Sequence, residues 1–197
     1  MLILNIDFEI MKEFLTLVLV LLGTLWATAQ SNPKPLRFIP EAGFVISKPK
    51  ADGNKEVWSY SLGCQMQWQP ETNCSGGGWI LVTGLELKSK PFHAEGDVKA
   101  TPSYIQLPLR IGFKSVIRSL TLDYTFGGYI AERLWGDLNT AQDYRLKHFD
   151  AGLGLEVGVN FNKFRLAGYW ERGFVSMAKV PVSFHNFDGG IKLGYTF

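Results

Sequence analysis

Only two cysteines and three histidines occur in 197 residues, and the formal charge is just +2. So small an imbalance, with no basic block and no recognisable binding helix, excludes a nucleic-acid reading. Cys64 and Cys74 belong to no metal-ligand spacing. Cys64 falls mid-strand and Cys74 in a turn, some ~10–20 Å apart at ~3.3 Å per residue, whereas a disulfide needs Cα atoms within ~7 Å. Two free thiols are expected. His93, His148 and His185 fall in expected outer loops with Ser183, but no H-x-x-x-H or nucleophile-elbow pattern joins them. Solvated loop histidines are expected, with no metal, no cofactor and no catalytic residue. Gly152-x-Gly154-x-x-x-Gly158 lacks dinucleotide-loop spacing, and no helix follows it. Asn73-Cys74-Ser75 matches a glycosylation acceptor, a pattern that a bacterial chain does not normally use.

Long hydrophobic runs are also missing, apart from one near the start. Met11-Lys12-Glu13 leads into an apolar run from Phe14 to Trp26, followed by Ala27-Thr28-Ala29. This run falls short of the ~20 residues of a membrane helix. A positive start, an apolar stretch and an A-x-A site read as a secretory signal peptide over 1–29, leaving a domain over 30–197. The segment before Met11 carries Asp7 and Glu9 and no base, so translation is expected to begin at Met11. Cleavage after Ala29 leaves 19 basic and 15 acidic side chains, a charge of +4.

What the chain does have is aromatic rings and glycine: 14 Phe, 7 Tyr, 6 Trp and 21 Gly. Apolar residues make up 46% and charged ones 19%, too apolar for disorder. From Phe149 to Phe161 every second residue is apolar, and Asp150, Gly152, Gly154, Glu156, Gly158 and Asn160 lie between. A period of two means a strand with two unlike faces, here apolar towards lipid and small or polar towards a narrow lumen. The same alternation recurs over Leu36–Ser47, Trp58–Trp68, Trp79–Lys88, Tyr104–Lys114, Leu120–Glu132, Phe164–Val175 and Asp188–Phe197. The seventh segment is weaker, since Arg172 shares the face of Phe164, Leu166, Gly168, Trp170 and Phe174. A tilted strand needs ~9–11 residues to cross a bilayer, and eight is the smallest common number of strands for a membrane barrel.

The expected lumen face carries Arg37, Glu41, Glu86, Arg110, Lys114, Asp123, Glu156, Arg165, Glu171 and Lys192. Buried charges are costly unless paired, and both signs occur in similar number, so a salt-bridged filling is expected. Glu156 and Glu171 lie on adjacent strands, as do Arg110 and Asp123. A catalytic carboxylate pair is conceivable there, but an ion-paired plug fills the interior that an eight-stranded barrel must fill. Trp58, Trp68, Trp79, Phe149, Phe161 and Phe164 sit at strand ends, where amphipathic rings meet the lipid–water boundaries. Long connections alternate with short ones, as in membrane barrels, although 69–78 is longer than a periplasmic turn should be.

Tyr104-Ile-Gln-Leu-Pro-Leu-Arg-Ile-Gly-Phe-Lys114 resembles the fourth-strand signature of PorT-like outer-membrane β-barrel proteins. Phe126-Gly-Gly-Tyr-Ile-Ala131 resembles the segment that follows it, and Leu193-Gly-Tyr-Thr-Phe197 resembles the family's closing strand. The alternating apolar residues Leu193, Tyr195 and Phe197 also look like the signal read by the barrel-insertion machinery, with Lys192 where that pattern often has Gly. The resemblance spans residues 36–197. It implies a Gram-negative outer-membrane protein, with some members serving secretion or envelope maintenance, and it supplies no functional motif to map.

The expected protein is therefore all-β, an eight-stranded antiparallel up-and-down transmembrane barrel behind a cleaved signal peptide. Its expected partners are outer-membrane lipid, the insertion machinery, and an extracellular or periplasmic protein of unspecified identity. A structural, envelope or loop-mediated binding role follows. The alternatives are a narrow porin-like channel, a lipid-modifying barrel enzyme and a soluble periplasmic lipocalin-like barrel.

Overall fold

A strand with one apolar and one polar face must cover the first and satisfy its own edges, and a closed ring of such strands does both. The computed structural model describes residues 36–48, 57–70, 77–94, 98–136, 138–139, 147–176 and 185–197. From Arg37 onward the chain is one compact unit. The expected signal segment falls within residues 1–35, outside the described residues.

The described strands are β1 (Leu36–Ser47), β2 (Val57–Trp68), β3 (Gly78–Ser89), β4 (Phe92–Ala94), β5 (Val98–Ala100), β6 (Ser103–Ile117), β7 (Leu120–Trp135), β8 (Leu138–Asn139), β9 (Phe149–Phe161), β10 (Phe164–Ser176) and β11 (His185–Tyr195). Eight close into a barrel in the order β1-β11-β10-β9-β7-β6-β3-β2. Each strand lies beside the next barrel strand in the chain, and β1 meets β11 antiparallel to close the ring. The barrel is thus the eight-stranded, all-antiparallel, up-and-down form that the alternation predicts.

The two ends of the barrel differ. At one end β6 and β7 are joined by Arg118-Ser119, β9 and β10 by Asn162-Lys163, and β2 and β3 by residues 69–77. The first two connections turn through a residue of positive φ, Arg118 at 57° and Asn162 at 53°. At the other end all four connections are long, 48–56, 90–102, 136–148 and 177–184, and residues 69–77 at the first end match the shorter of them in length.

The expected strand bounds need correction, with β7 running on from Glu132 to Trp135 and β11 ending at Tyr195 rather than Phe197. β6 runs on to Ile117, so the expected connection 115–119 shrinks to a two-residue turn. β11 starts at His185, which is a strand residue and not a loop one. Two of the long connections also carry structure of their own: β4 and β5 between β3 and β6, and β8 between β7 and β9, pair into a separate three-stranded sheet. These pieces of two or three residues are too short to show an alternation, so no pattern announces them.

The faces divide as the period of two requires. Among the described residues thirty large apolar side chains are exposed, including Phe44, Trp58, Leu62, Ile111, Leu155, Leu166 and Ile191. On β9 exposure alternates from residue to residue, with Leu153, Leu155, Val157 and Val159 exposed and Gly154, Glu156 and Gly158 buried. From Phe149 to Phe161 the strand runs ~40 Å at ~3.3 Å per residue, which a tilt of ~45° reduces to a band ~28 Å tall. Cys64 is a free, exposed thiol on the outward face of β2. Cys74 falls outside the described residues.

Candidate functional site

The chemistry of the molecule is concentrated inside the barrel. Three cations hold the central tier. Arg110 on β6 donates to Glu156 Oε2 at 2.7 Å and to Glu171 Oε1 at 2.5 Å. Arg165 on β10 donates to Asp123 Oδ1 at 2.6 Å and Glu156 Oε1 at 2.7 Å, and reaches Glu41 at 3.4 Å. Lys192 on β11 lies 2.8 Å from Glu86, 3.0 Å from Glu41 and 3.6 Å from Glu156. Lys88 adds a fourth cation, 2.6 Å from Glu171 and 3.9 Å from Glu86. Neutral amides complete the set: Gln65 donates to Glu156 at 3.0 Å, Gln106 to Glu171 at 2.9 Å, and Asn160 to Asp123 at 2.5 Å.

Glycines on the neighbouring staves make this geometry possible. A Cβ on Gly158 would fall 2.5 Å from Asp123 Oδ1 and 2.6 Å from Arg165 Nη2. One on Gly154 would meet Glu171 Cγ at 2.7 Å. The glycine row of β9 therefore leaves the volume that side chains from β7 and β10 occupy.

A second tier lies towards the longer connections. Lys90 sits 2.7 Å from Asp150 and 3.9 Å from Asp188, with its ammonium 4.4 Å from the Tyr129 ring centroid. Ser47 and Asn186 both donate to Asp188 at 2.6 Å, and Tyr129 donates to Asp150 at 3.2 Å. Lys90 lies just past the end of β3. Burial works against its charge, but Asp150 and then Asp188 outweigh burial and raise its pKa above the ordinary lysine value.

Of the sequence-derived lumen residues, Glu41, Glu86, Arg110, Asp123, Glu156, Arg165, Glu171 and Lys192 meet in the central tier. Arg37 is half-buried and joins no ion pair among the described residues. Lys114 is buried at 2% exposure beside it in sign but likewise outside the described ion pairs. Arg110 and Asp123, which adjacency on β6 and β7 suggests as a pair, take different partners: Asp123 goes to Arg165 across β9. The sequence-derived set omits Lys88, Lys90, Asp150 and Asp188. All four keep the inward phase of their strands, so carrying the alternation to each strand end would have found them.

The arrangement suits filling better than catalysis. Glu156 and Glu171 have no exposed side-chain surface, and each is held by Arg110 together with a second cation. Carboxylates buried and held in this way are already committed as hydrogen-bond acceptors and ion-pair partners, which disfavours a role on substrate. His148 Nε2 lies 3.2 Å from Arg133 at the rim, while the side chains of His93 and His185 and all of Ser183 fall outside the described residues.

The strand-end aromatics all lie on the outward face: Trp58 and Phe149 towards the long connections, Trp68, Trp79, Phe161 and Phe164 towards the short ones. Neighbouring rings extend the latter group, with Trp79 edge-on to Phe113 at 5.7 Å and Phe164 edge-on to Tyr195 at 5.6 Å. Leu193 and Phe197 are exposed, and the Phe197 amide donates to the Phe38 carbonyl at 3.1 Å. Over β3, β6, β7 and β9 the outward face forms an apolar groove of about 430 Å³ walled by Trp79, Phe113, Tyr124, Phe126 and Leu155.

No family model matches the chain, and no curated protein matches it. Among solved structures it is similar to Neisserial surface protein A, with 8% identity, 81% of this chain and 97% of that one covered, and a TM-score of 0.52. It is also similar to Ail, the attachment invasion locus protein of Yersinia pestis, with 13% identity, 82% and 99% covered, and a TM-score of 0.46. The first of these likenesses shows the closed eight-stranded barrel fold.

Proposed function

We propose that this chain is an outer-membrane barrel of a Gram-negative bacterium that acts through its long connections, as a surface-exposed binding or envelope protein. The observation that carries this reading is the inversion of the usual soluble pattern. Large apolar side chains such as Phe44, Leu62, Ile111, Leu155, Leu166 and Ile191 face outward, while among the described residues seven carboxylates (Glu41, Glu86, Asp123, Asp150, Glu156, Glu171, Asp188) and six cations (Lys88, Lys90, Arg110, Lys114, Arg165, Lys192) are buried on the inward face. Water would disfavour that outer surface, and lipid accepts it. The same inversion weighs against a soluble lipocalin-like barrel, and the cross-lumen ion pairs weigh against a channel or a barrel enzyme.

Membership of the PorT-like family rests on the sequence motifs. Its fourth-strand signature lies on β6, the fourth stave, and its closing motif on β11 and the two residues after it. The name of Neisserial surface protein A agrees with a surface role. With the short turns in the periplasm, the four long connections and the β4-β5-β8 sheet face outward, where a protein partner would meet them. Leu193, Tyr195 and Phe197 supply the insertion signal from β11.

Electrophoresis of the membrane fraction with and without boiling tests the reading. A folded barrel resists detergent and changes mobility on boiling. Recovery in the soluble periplasmic fraction, with no heat-dependent shift, would overturn it.

A further inference from the structure

We propose that Arg172 and the outward surface beneath it form a binding site for a phosphorylated lipid of the outer leaflet; this rests on the membrane reading above. Arg172 is the one exposed charged side chain on the outward face of the eight staves among the described residues. Its register partners are Phe187 on β11 and Leu153 on β9, both exposed and apolar, and Trp170 and Phe174 flank it along β10. Its side chain makes no hydrogen bond or ion pair among the described residues, and the connection after β10, residues 177–184, carries Lys179 and no acid.

A lone cation in an apolar belt is costly unless it reaches water or an anion. Its height says which it meets. Arg172 is eight residues along β10 from Phe164, at the short-turn boundary, hence ~19 Å up a band ~25 Å tall at a tilt of ~45°. The remaining gap of roughly 6 Å is one that an arginine crosses by snorkelling. The guanidinium then lies at the headgroup level of the leaflet facing the long connections. A planar fork of donors there suits a phosphate, which it can bind bidentately.

The surface below has room for the attached chain. Gly168, four residues along β10, faces outward, and an added Cβ would meet nothing within 4 Å. Gly189 pairs with Trp170 and is nearly as open, with only the Tyr169 carbonyl at 3.6 Å. Neither glycine is forced by crowding, unlike Gly154 and Gly158 inside. Trp170, tilted edge-on to Phe187 at 5.2 Å, stands beside these two glycines below the cation. Charge above and an apolar surface with two side-chain-free positions below match a phosphorylated headgroup with its acyl chain.

Native mass spectrometry of the folded full barrel, titrated with bis-phosphorylated lipid A and with its dephosphorylated form, tests the site. The wild type is expected to retain the phosphorylated lipid at least about five-fold more strongly than the dephosphorylated one. Arg172→Ala should abolish that preference and Arg172→Lys keep part of it, while Gly168→Leu should weaken both lipids. Inorganic phosphate at millimolar concentration should not compete, and competition would overturn a lipid source in favour of a free-anion site. Equal retention by wild type and Arg172→Ala, each showing the heat-dependent gel shift, would overturn the inference alone. Loss of the gel shift in the wild type would instead overturn the membrane reading beneath it.

Discussion

Arg165 on β10 donates to Asp123 on β7 at 2.6 Å, reaching over the intervening β9 at Gly158, where no side chain blocks the way. Three staves are thus bound through side chains as well as through their backbone ladders. The pairing depends on an absence in β9 as much as on the charges themselves.

Gly158→Leu should therefore break the Arg165–Asp123 pair. Removing one partner's access leaves a buried charge uncompensated, worth ~3–5 kcal/mol. Urea unfolding in detergent micelles, followed by the heat-dependent gel shift, should show a loss of that order. Gly158→Ala, whose Cβ still meets Asp123 Oδ1 at 2.5 Å, should lose less, and a Leu variant as stable as the wild type would show that the pair is dispensable.

Arg110 holds Glu156 and Glu171 apart as anions, so Arg110→Met should destabilise by ~3–5 kcal/mol. Adding Glu156→Gln and Glu171→Gln to that variant should restore much of the loss, because no charge is then left unpaired. Failure of the triple variant to recover would mean that packing by Arg110, not its charge, is what matters.

Lys88 and Glu171 meet at 2.6 Å from opposite sides of the ring, on β3 and β10. Side chains that span the lumen leave no continuous water path, so the wild type should be silent in planar bilayers. Steady single-channel steps would refute the filled lumen.

A spin label on Cys64 in a Cys74→Ser background should be accessible to oxygen and shielded from a water-soluble nickel complex. Cys64 is exposed on the outward face of β2, six residues from Trp58 and four from Trp68, which places it within the apolar band. High nickel accessibility would argue for water at that face.

Arg118 turns the chain at φ 57°, a conformation that costs a non-glycine residue ~1–2 kcal/mol. Arg118→Gly should relieve most of this, less the flexibility gained by the unfolded chain, for a net gain of ~0.5–1 kcal/mol. Asn162→Gly, where asparagine already tolerates the same region, should change stability by only a few tenths of a kcal/mol. Chemical denaturation of the two variants side by side checks the contrast.

The sequence by itself determined which residues face in and which face out. Side-chain alternation is a local property of a strand, so Leu155 outward and Glu156 inward follow from a period of two with no knowledge of neighbours. The barrel follows nearly as directly, because eight consecutive amphipathic strands have few other ways to cover one face and leave no edge. Which charges meet was decided only by the tertiary structure. Lys192 pairs with Glu86 from β3, 106 residues away, and Arg110 passes over its neighbour Asp123 for Glu156 and Glu171. Those contacts depend on the stagger between staves and on side chains crossing the lumen over the gaps left by glycine. Both are set by the pairing of distant segments, which no local pattern records. The β4-β5-β8 sheet was hidden for the same reason, since two short pieces of one connection and one of another become strands only when the closed ring brings them together.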